Sequence, residues 1–405
     1  MNLGASERVR LLVEQVRAFI TDHVDPVESE YFAEIDTGNR WQLTERQQEI
    51  IDGLQLQARE QGLWNFFLTH SEHGPGLTNV EYAYLAEEMG RSHLAPEVFN
   101  CQAPDTGNME VIARFGSTEQ KREWLQPLLE GQIRSGFAMT EPDEACSDAS
   151  NVAMTAVLKN GNWLLNGEKT YISGAGDPRC KILIVMARTD PDAPKHKQQS
   201  QILVPMDTPG LTIVRPMHVF SMDDAPHGHM HLRFDDVEVP EDNIILGRGR
   251  GFEIAQSRLG PGRIHHCMRA IGAAELALEF MCRRGLSRRA FGKEIIKLGG
   301  NFDRVADARM QIEMARLLTL KAAWMIDSSD IESARVWVSM IKVIAPNTAL
   351  KIIDDAIQMH GAAGVSQDFP LAKMYMSNRT LRLADGPDEV HRMVVARSEL
   401  RRYLG

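Results

Sequence analysis

The sequence predicts an α+β multidomain protein with an N-terminal helical domain, a middle β-barrel or β-sandwich domain and a C-terminal four-helix bundle. Apolar residues recur at three-and-four spacing in the first and last thirds of the 405-residue chain, which indicates amphipathic helices. Between these thirds, alternating apolar residues separated by Gly-, Pro- and Asp-rich turns indicate strands. We therefore expect domains at residues 1–134, 135–246 and 247–405.

The amino-acid composition argues against several classes of protein. With 43% hydrophobic and 25% charged residues, the chain is long enough to bury a stable core without disulfides. The net charge of -10 argues against a nucleic-acid-binding surface. Five cysteines without a C-x-x-C pair predict free thiols in a reducing compartment. No apolar run approaches the roughly 20 residues of a membrane helix, and the N-terminus does not resemble a signal peptide. We therefore expect no membrane span and a cytoplasmic location.

The N-terminal domain shows clear helix signals. Apolar residues between positions 3 and 20 follow helical spacing, and we expect this helix to end near Pro26. Further helix starts are predicted by three capping-box pairs, in which a hydroxyl residue precedes Gln or Glu by three positions. The pairs are Thr44 with Gln47, Thr78 with Glu81, and Ser117 with Gln120.

The middle domain begins with an alternation of apolar and polar residues over positions 152–158, which predicts a half-buried strand. Asn160-Gly161 predicts a hairpin after it, because a type I′ turn needs positive φ at both central residues. Further strands are expected at Lys181–Ala187, Gln201–Pro205, Leu211–Pro216 and His229–Phe234.

Three histidines at the last of these strands could suggest a metal site. His227, His229 and His231 alternate, so a strand would carry all three on one face. A metal site also needs further convergent ligands and hydrogen-bond partners that orient them. Because the sequence offers none, we interpret the histidines as polar strand residues and expect no metal.

Helical spacing returns from Phe252 in the C-terminal domain. Apolar residues predict four helices, around positions 264–278, 312–318, 337–341 and 390–400. Four long helices within about 150 residues are typical of a helix bundle.

Three segments carry a more specific signal. Residues 136–142 are Gly-Phe-Ala-Met-Thr-Glu-Pro, and residues 166–173 are Asn-Gly-Glu-Lys-Thr-Tyr-Ile-Ser. Together they resemble the flavin-binding signature of the acyl-CoA dehydrogenase family. Residues 382–392 resemble the branch of that family that includes large vertebrate members with an attached kinase-like domain. The resemblance covers essentially the whole chain and implies the acyl-CoA dehydrogenase fold.

This resemblance implies a FAD-dependent enzyme of fatty-acid β-oxidation. It would convert an acyl-CoA thioester to a trans-2-enoyl-CoA and pass the electrons to an electron-transfer flavoprotein. Such a reaction needs a base for the α-proton, a hydride acceptor, and donors to the carbonyl oxygen. No side chain accepts a hydride, so a cofactor is required. Because Gly247–Gly251 lacks the G-x-G-x-x-G spacing of dinucleotide sites, FAD binding rests on the resemblance alone.

By the same resemblance, six residues of the middle domain would contact FAD. They are Phe137, Met139, Thr140, Ser147, Tyr171 and Ser173. Thr140 and Ser173 would hydrogen-bond the flavin ring, and Tyr171 would flank it. Ser147 would contact either the pyrophosphate region or the bound thioester. The segment before Ser147 is one residue longer than the commoner family pattern.

Two C-terminal segments imply an assembly of subunits. Arg288 and Phe291 lie in an Arg-x-x-Phe-Gly segment, and Gln358 and Gly361 lie in a glycine-rich turn. In the family these segments contact the FAD of a neighbouring subunit, and a guanidinium suits a pyrophosphate. We therefore expect a homodimer or a homotetramer.

Asp385 matches the position of the catalytic glutamate in the family, so the resemblance implies that it is the base. A local alternative is that Asp385 or Gly386 caps a helix whose first turn holds Pro387. Some relatives carry the glutamate on a helix, just before an arginine. The corresponding position here is Gly262, before Arg263, and glycine cannot act as a base. We favour Asp385 as the base.

Other residues near Asp385 would complete the site by resemblance. Pro387 and Glu389 would contact the cofactor, whereas Arg263 and Gly386 would contact the substrate. No spacing supports a catalytic role for His391, which we expect to be structural.

Two other functions remain open from sequence. The first is an oxidase of the same fold that uses molecular oxygen, with an acyl-CoA or a nitroalkane as substrate. The second is a non-catalytic protein that binds flavin or acyl-CoA. The sequence does not define the length, branching or hydroxylation of the acyl chain.

Overall fold

A computed structural model describes residues 3–69, 71–329 and 331–404, with the backbone alone for residues 256–261, 331 and 332. The predicted fold class is confirmed, because helical N- and C-terminal regions flank a curled sheet. The chain divides into two compact units. The first contains the residues up to 26, residues 66–96 and those from 260 onward, and the second contains residues 27–65 and 97–259. The boundaries of three consecutive domains stay a prediction.

Eight helices are described before the sheet. They are α1 (Glu7–Phe19), α2 (Asp25–Ala33), α3 (Glu45–Glu60), α4 (Asn79–Met89), α5 (Ala95–Val98), α6 (Asp105–Phe115), α7 (Thr118–Gln120) and α8 (Gln126–Leu129). All three predicted capping boxes are confirmed at the starts of α3, α4 and α7. In each box, the hydroxyl oxygen accepts from the backbone N–H three residues later, and the Gln or Glu side chain accepts from the cap residue's own N–H.

The predicted helix end near Pro26 is wrong. A π-helical turn over Ile20–Val24 joins α1 to α2, so the chain stays helical to Ala33. Pro26 is the second residue of α2. Proline is tolerated in a first turn, since its fixed φ suits a helix and a missing N–H costs little there.

Seven strands form the main sheet. They are β1 (Arg134–Ala138), β2 (Thr155–Lys159), β3 (Asn162–Ser173), β4 (Cys180–Arg188), β5 (Gln199–Pro205), β6 (Leu211–Pro216) and β7 (His229–Pro240). Their order is β1-β4-β2-β3-β7-β6, with β5 paired to β4. The hairpin between β2 and β3 is confirmed, with φ of 55° at Asn160 and 80° at Gly161. Trp163, Val185 and Leu232 lie in the core beneath the sheet.

Three details of the sheet differ from the prediction. Strand β2 begins at Thr155 rather than at residue 152. His227 lies in the turn before β7, so the three histidines do not share a strand. Strand β1 was not predicted, because its first residues are polar and yet buried. Asp105, on α6, accepts from Arg134 Nε at 2.5 Å and from the Ser135 backbone N–H at 2.7 Å.

The C-terminal region is a helix bundle. Its elements are α9 (Gly251–Ser287), β8 (Arg289–Ala290), β9 (Lys293–Glu294), α10 (Asn301–Ser328), α11 (Ile331–His360), α12 (Leu371–Thr380) and α13 (Asp388–Leu400). The four predicted helices are present, whereas the short α12 and the β8–β9 ribbon were not predicted. The segment Ser333–Val365 is long and apolar enough to cross a membrane, but 61% of its most apolar window is buried inside the protein.

Candidate active site

Five of the predicted flavin contacts lie in the chain segments around the end of β1 and the end of β3. The backbone N–H of Thr170 donates to the Thr140 carbonyl at 2.8 Å, which joins the end of β1 to β3. Residues between the contacts are buried, whereas the five side chains are half-buried or exposed. We call these five the middle-domain patch: Phe137, Met139, Thr140, Tyr171 and Ser173. Ser147 is exposed in the loop that follows, between β1 and β2.

Tyr171 owes its direction to a local irregularity of β3. The register with β7 shifts between Lys169 and Ile172, and Tyr171 has a φ of 56°. A bulge of this kind turns a side chain away from its regular position in the sheet. The ring of Tyr171 is therefore 52% exposed, although its neighbours Thr170 and Ile172 are buried.

A buried ion pair holds the backbone of the middle-domain patch in place. Lys169 is fully buried, and its Nζ donates to Glu141 Oε1 and to the Met139 carbonyl, both at 2.9 Å. Glu141 also accepts from the backbone N–H groups of Ala153 and Met154 at 2.8 and 2.9 Å. Burial lowers the pKa of Lys169, and the Glu141 carboxylate opposes that shift. The pair fixes the backbone of Met139 relative to β3.

Ser173, at the other end of the patch, contacts a histidine. Its Oγ lies 2.8 Å from His229 Nδ1, and His229 Nε2 lies 3.8 Å from Asp224 Oδ2. Burial lowers the pKa of His229. His231, two residues on, lies 2.7 Å from Glu168. Among the residues that the structure describes, no group of three or more His, Cys, Asp or Glu could hold a metal ion.

The predicted base lies in a strained loop between α12 and α13. Asp385 has a φ of 55°, which is uncommon for a residue other than glycine, and Gly386 follows with a φ of 99°. The Asp385 carbonyl accepts from Arg263 Nε at 3.1 Å and Nη2 at 2.8 Å. His391 Nε2 lies 3.3 Å from the same oxygen. The Asp385 side chain is 22% exposed.

Further contacts hold both ends of this loop. Lys342 is buried on α11, and its Nζ donates to the Leu381 carbonyl. At the other end, Arg382 Nε donates to Asp388 Oδ2 at 2.8 Å, and Asn347 Nδ2 donates to the same oxygen at 3.1 Å. Burial lowers the pKa of Lys342.

The local alternative for Asp385 is wrong. Helix α13 begins at Asp388 and its N-cap residue is Pro387, so neither Asp385 nor Gly386 caps it. His391, in turn, lies closer to the candidate base than the sequence indicated. Burial and the positive charges of Arg263 and Lys342 lower the pKa of His391 to about 4, so its ring is neutral at pH 7.

The remaining predicted contacts lie at the ends of α9 and α11. Arg288 and Phe291 lie at and just beyond the end of α9, and Phe291 is 94% exposed at the tip of the β8–β9 ribbon. Gln358 is the third residue from the end of α11, and Gly361 follows that helix; both are exposed. These two chain segments are adjacent, because Arg284 Nη2 donates to the His360 carbonyl at 3.4 Å.

The structure therefore gathers the predicted residues into three groups. One is the middle-domain patch, one surrounds Asp385, and one lies at the ends of α9 and α11. Along α11, Gln358 is about 24 Å from Lys342, which contacts the Asp385 loop. Glu389 is exposed in the first turn of α13. At Gly262, an added Cβ would meet nothing within 4 Å, so this face of α9 is open.

Comparison with known proteins identifies the family of the chain. Profiles of the acyl-CoA dehydrogenase N-terminal, middle and C-terminal domains match residues 6–132, 136–237 and 249–400. A solved structure described as an acyl-CoA dehydrogenase from Mycobacterium abscessus is 54% identical, with a TM-score of 0.95, over 99% of this chain and 100% of that one. The chain belongs to the acyl-CoA dehydrogenase family.

Curated relatives of this chain include longer proteins. Acyl-CoA dehydrogenase family member 10 of Mus musculus is 51% identical over 403 residues, which are 98% of this chain but 37% of the relative. FadE2 of Mycobacterium tuberculosis, named as an acyl-CoA dehydrogenase, is 53% identical over 354 residues, or 87% of this chain and 86% of FadE2. The chain thus spans little more than a third of the first relative and most of the second.

FAD is the cofactor of this family. The middle-domain patch fits a flavin ring, which has apolar faces and a polar edge. Tyr171 and Met139 offer an aromatic ring and a thioether, and Thr140 and Ser173 offer hydroxyl groups. The guanidinium of Arg288, which forms no ion pair with any residue that the structure describes, suits a pyrophosphate.

Sequence reasoning missed several residues that support the site. Glu141 and Lys169 lie within the quoted motifs, so their opposite charges were visible, but their pairing was not. Lys342 and His391 had no sequence signal, because contacts to carbonyl groups of a distant loop leave no local pattern.

Proposed function

We propose that this dehydrogenase oxidises an acyl-CoA thioester to a trans-2-enoyl-CoA, with Asp385 as the base that removes the α-proton. FAD, when bound, supplies the acceptor for the β-hydride. The Asp385 backbone N–H donates to the thioester carbonyl and stabilises the negative charge that develops there. The proposal includes the remaining predicted contacts: Ser147, Arg263 and Gly386 on the substrate, and Pro387 and Glu389 on the cofactor.

The main support for this proposal is the way in which the backbone of Asp385 is held. Its residue sits at a φ of 55° and its carbonyl binds Arg263 and His391, so the loop holds one conformation against strain. The carboxyl group does not serve as a helix cap, because Pro387 has that place. A carboxylate held in a strained loop without a capping role is what a positioned general base requires.

Arg263 contributes by fixing the base. Its two hydrogen bonds to one carbonyl restrict both the position and the rotation of the Asp385 peptide group. A guanidinium is suited to this because its donors are held in a rigid fork. A substrate contact by other atoms of Arg263 is compatible with this role.

We further propose that the electrons pass to an electron-transfer flavoprotein and that the protein acts in cytoplasmic fatty-acid β-oxidation. Support comes from the family alone. An oxidase would use the same base and differ in its electron acceptor.

The proposed assembly is a homodimer or homotetramer. An exposed apolar face on α10 supports it, with side chains at helical spacing that are each more than half exposed. We call this face the α10 stripe: Phe302, Met310, Met314 and Leu317. Phe291, exposed at the ribbon tip, fits a contact with a neighbouring subunit or its FAD.

The assembly proposal predicts that charge on the α10 stripe separates the subunits. The double variant Met314→Glu, Leu317→Glu should sediment as a monomer and lose FAD on gel filtration, because burial of two carboxylates is costly. Leu11→Glu, at a single exposed apolar residue of α1, is the matched control. An unchanged mass for the double variant would contradict the interface.

The function is tested by an anaerobic titration of the FAD-loaded protein with acyl-CoA thioesters from short to very long chains. Loss of the oxidised flavin absorbance with one chain class supports the proposal and defines the substrate. A flavin that stays oxidised with every thioester overturns it. Repetition in air separates the acceptors, since stoichiometric peroxide would identify an oxidase.

A further inference from the structure

A histidine contacts the carboxylate of the candidate base. His266 lies one helical turn after Arg263 on α9, and its Nε2 is 3.4 Å from Asp385 Oδ2. On the other side of the ring, Nδ1 is 3.2 Å from Arg269 Nη2. Arg263 binds the backbone carbonyl of the same aspartate, so one helix holds Asp385 at two points.

The arginine determines which ring nitrogen of His266 carries the proton. A guanidinium only donates hydrogen bonds, so Nδ1 must accept from Arg269. A neutral imidazole with an acceptor at Nδ1 has its proton at Nε2. Asp385 Oδ2 lies 3.4 Å from that nitrogen.

Several cationic side chains lie around the pair. Arg263 and Arg269 lie on the same helix, and Lys342 on α11 faces the Asp385 loop. From α13, His391 contacts the loop as a neutral ring, and Cys267 is buried on α9 near Lys342 and Arg263. His265, also on α9, is buried against Tyr82. An imidazolium at His266 would add a positive charge beside Arg269.

Close packing of two helices sets the backbone position of Arg269. A Cβ at Gly90, at the end of α4, would lie 2.2 Å from the Arg269 carbonyl oxygen. A Cβ at Gly272 would lie 1.9 Å from the Glu87 carbonyl oxygen. Both glycines therefore allow the backbones of α4 and α9 to contact each other beside Arg269. This contact fixes the position of Arg269, which in turn contacts His266.

We propose that His266 is a positioning residue for Asp385, and that its neutral ring, oriented by Arg269, donates the Nε2 proton to one carboxylate oxygen. This inference rests on the proposed function, because it takes Asp385 as the base. The hydrogen bond favours the ionised carboxylate, so the base stays active at lower pH than it would without the bond.

Two substitutions separate the hydrogen bond from simple packing. His266→Gln keeps an N–H donor at about the position of Nε2, whereas His266→Phe keeps a ring and removes the donor. Arg269→Met removes the guanidinium that donates to His266 Nδ1, so that Nδ1 can carry a proton instead. His23→Gln, at an exposed histidine of the π-helical turn, is the control.

The decisive measurement is exchange of the substrate α-proton in D₂O, under anaerobic conditions and as a function of pD, by NMR of a saturated acyl-CoA. His266→Phe loses one charge-assisted hydrogen bond, which should move the acid limb of the rate–pD profile to higher pD by roughly one pD unit. Exchange near pD 6 should then be about tenfold slower. His266→Gln should keep the wild-type limb, and the KM for dehydrogenation should change little in both variants. Arg269→Met should add a second ionisation to the limb.

The outcomes separate this inference from the proposed function. If His266→Phe keeps the wild-type acid limb while the wild-type protein exchanges the proton, the positioning role is wrong and the base assignment stands. If His266→Gln and His266→Phe lose exchange equally at every pD, the ring acts only in packing. If the wild-type protein neither exchanges the proton nor reduces its flavin, the proposed function itself fails.

Discussion

Asp385 is held through its backbone as well as through its side chain. Arg263 and His391 bind its carbonyl, and His266 contacts its carboxylate. Holding a base at a φ of 55° costs of order 1–3 kcal/mol, which these contacts must offset. In the proposed mechanism, this arrangement fixes the direction of proton transfer before the substrate arrives.

Loss of Arg263 should therefore lower turnover more than substrate affinity. In Arg263→Met we expect kcat to fall about 100-fold, since a displacement of about 1 Å at a catalytic group has that effect. Steady-state kinetics with the preferred thioester checks this, with Arg283→Met, an exposed arginine of the same helix, as control. A raised KM at unchanged kcat would show that Arg263 acts only on the substrate.

At this scale, the sequence predicted identities better than contacts. The motif that contains Asp385 indicated the candidate base, and both this assignment and the exclusion of Gly262 stay predictions. The contacts of His391 and Lys342 could not be predicted. Both reach carbonyl oxygens of the Asp385 loop from other helices, and a carbonyl group is present at every residue.

At the scale of elements, the approach of α4 to α9 is the feature that supports the site. Gly90 and Gly272 allow backbone contacts that no side chain could accommodate. Arg316, on α10, extends this support by pairing with Glu87 of α4 at 2.7 Å and with Glu275 of α9 at 2.5 Å. Three helices are thus joined near Arg269.

A methyl group at this crossing should destabilise the protein. For Gly272→Ala we expect the free energy of unfolding to fall by about 1–3 kcal/mol, because overpacking outweighs the better helix propensity of alanine. Gly53→Ala in α3 is the matched control, since its Cβ would meet nothing within 4 Å. There we expect stabilisation of about 0.5–1 kcal/mol. Urea unfolding of both variants is the measurement, and equal effects would contradict the packing account.

Element prediction succeeded where the signal was local. The capping boxes at Thr44, Thr78 and Ser117 and the turn at Asn160-Gly161 need only residues within a few positions. Strand β1 escaped detection because its buried polar groups have partners distant in sequence, among them Asp105, which lies 29 and 30 residues away. Periodicity depends only on residues close in sequence, so it cannot predict a distant partner of that kind.

At the scale of the whole molecule, buried neutral histidines couple stability to pH. Burial lowers the pKa of His93 to about 3, that of His227 to about 4 and that of His391 to about 4. The unfolded chain binds these protons with a pKa near 6.5. The folded state therefore binds fewer protons between these values, and its stability is full above about pH 6.5 and falls as the pH decreases toward 4.

Acid should therefore weaken the fold well before carboxylates are protonated in bulk. A histidine whose pKa is lowered from 6.5 to about 4 contributes about 3 kcal/mol to this loss. We expect the urea midpoint to decrease between pH 7 and pH 4.5, and to decrease less in His227→Leu. His23→Gln should follow the wild-type curve, because His23 is exposed. A pH-independent wild-type midpoint in this range would refute the linkage.

The whole-molecule fold was the most predictable level, since three successive patterns of spacing defined it and the family resemblance agreed. The grouping of residues from distant segments was less predictable than the fold. Nothing local indicates that Arg263 and Asp385, 122 positions apart, touch.

The central claim, that Asp385 is the base, is tested most directly by anaerobic stopped-flow reduction of the flavin in wild type and Asp385→Asn. Asp368→Asn, at an exposed acid between α11 and α12, is the control. We predict that Asp385→Asn binds FAD and thioester normally but reduces its flavin at least about 1,000-fold more slowly, within the range seen when a general base is removed. Reduction of the Asp385→Asn flavin at nearly the wild-type rate would contradict the account.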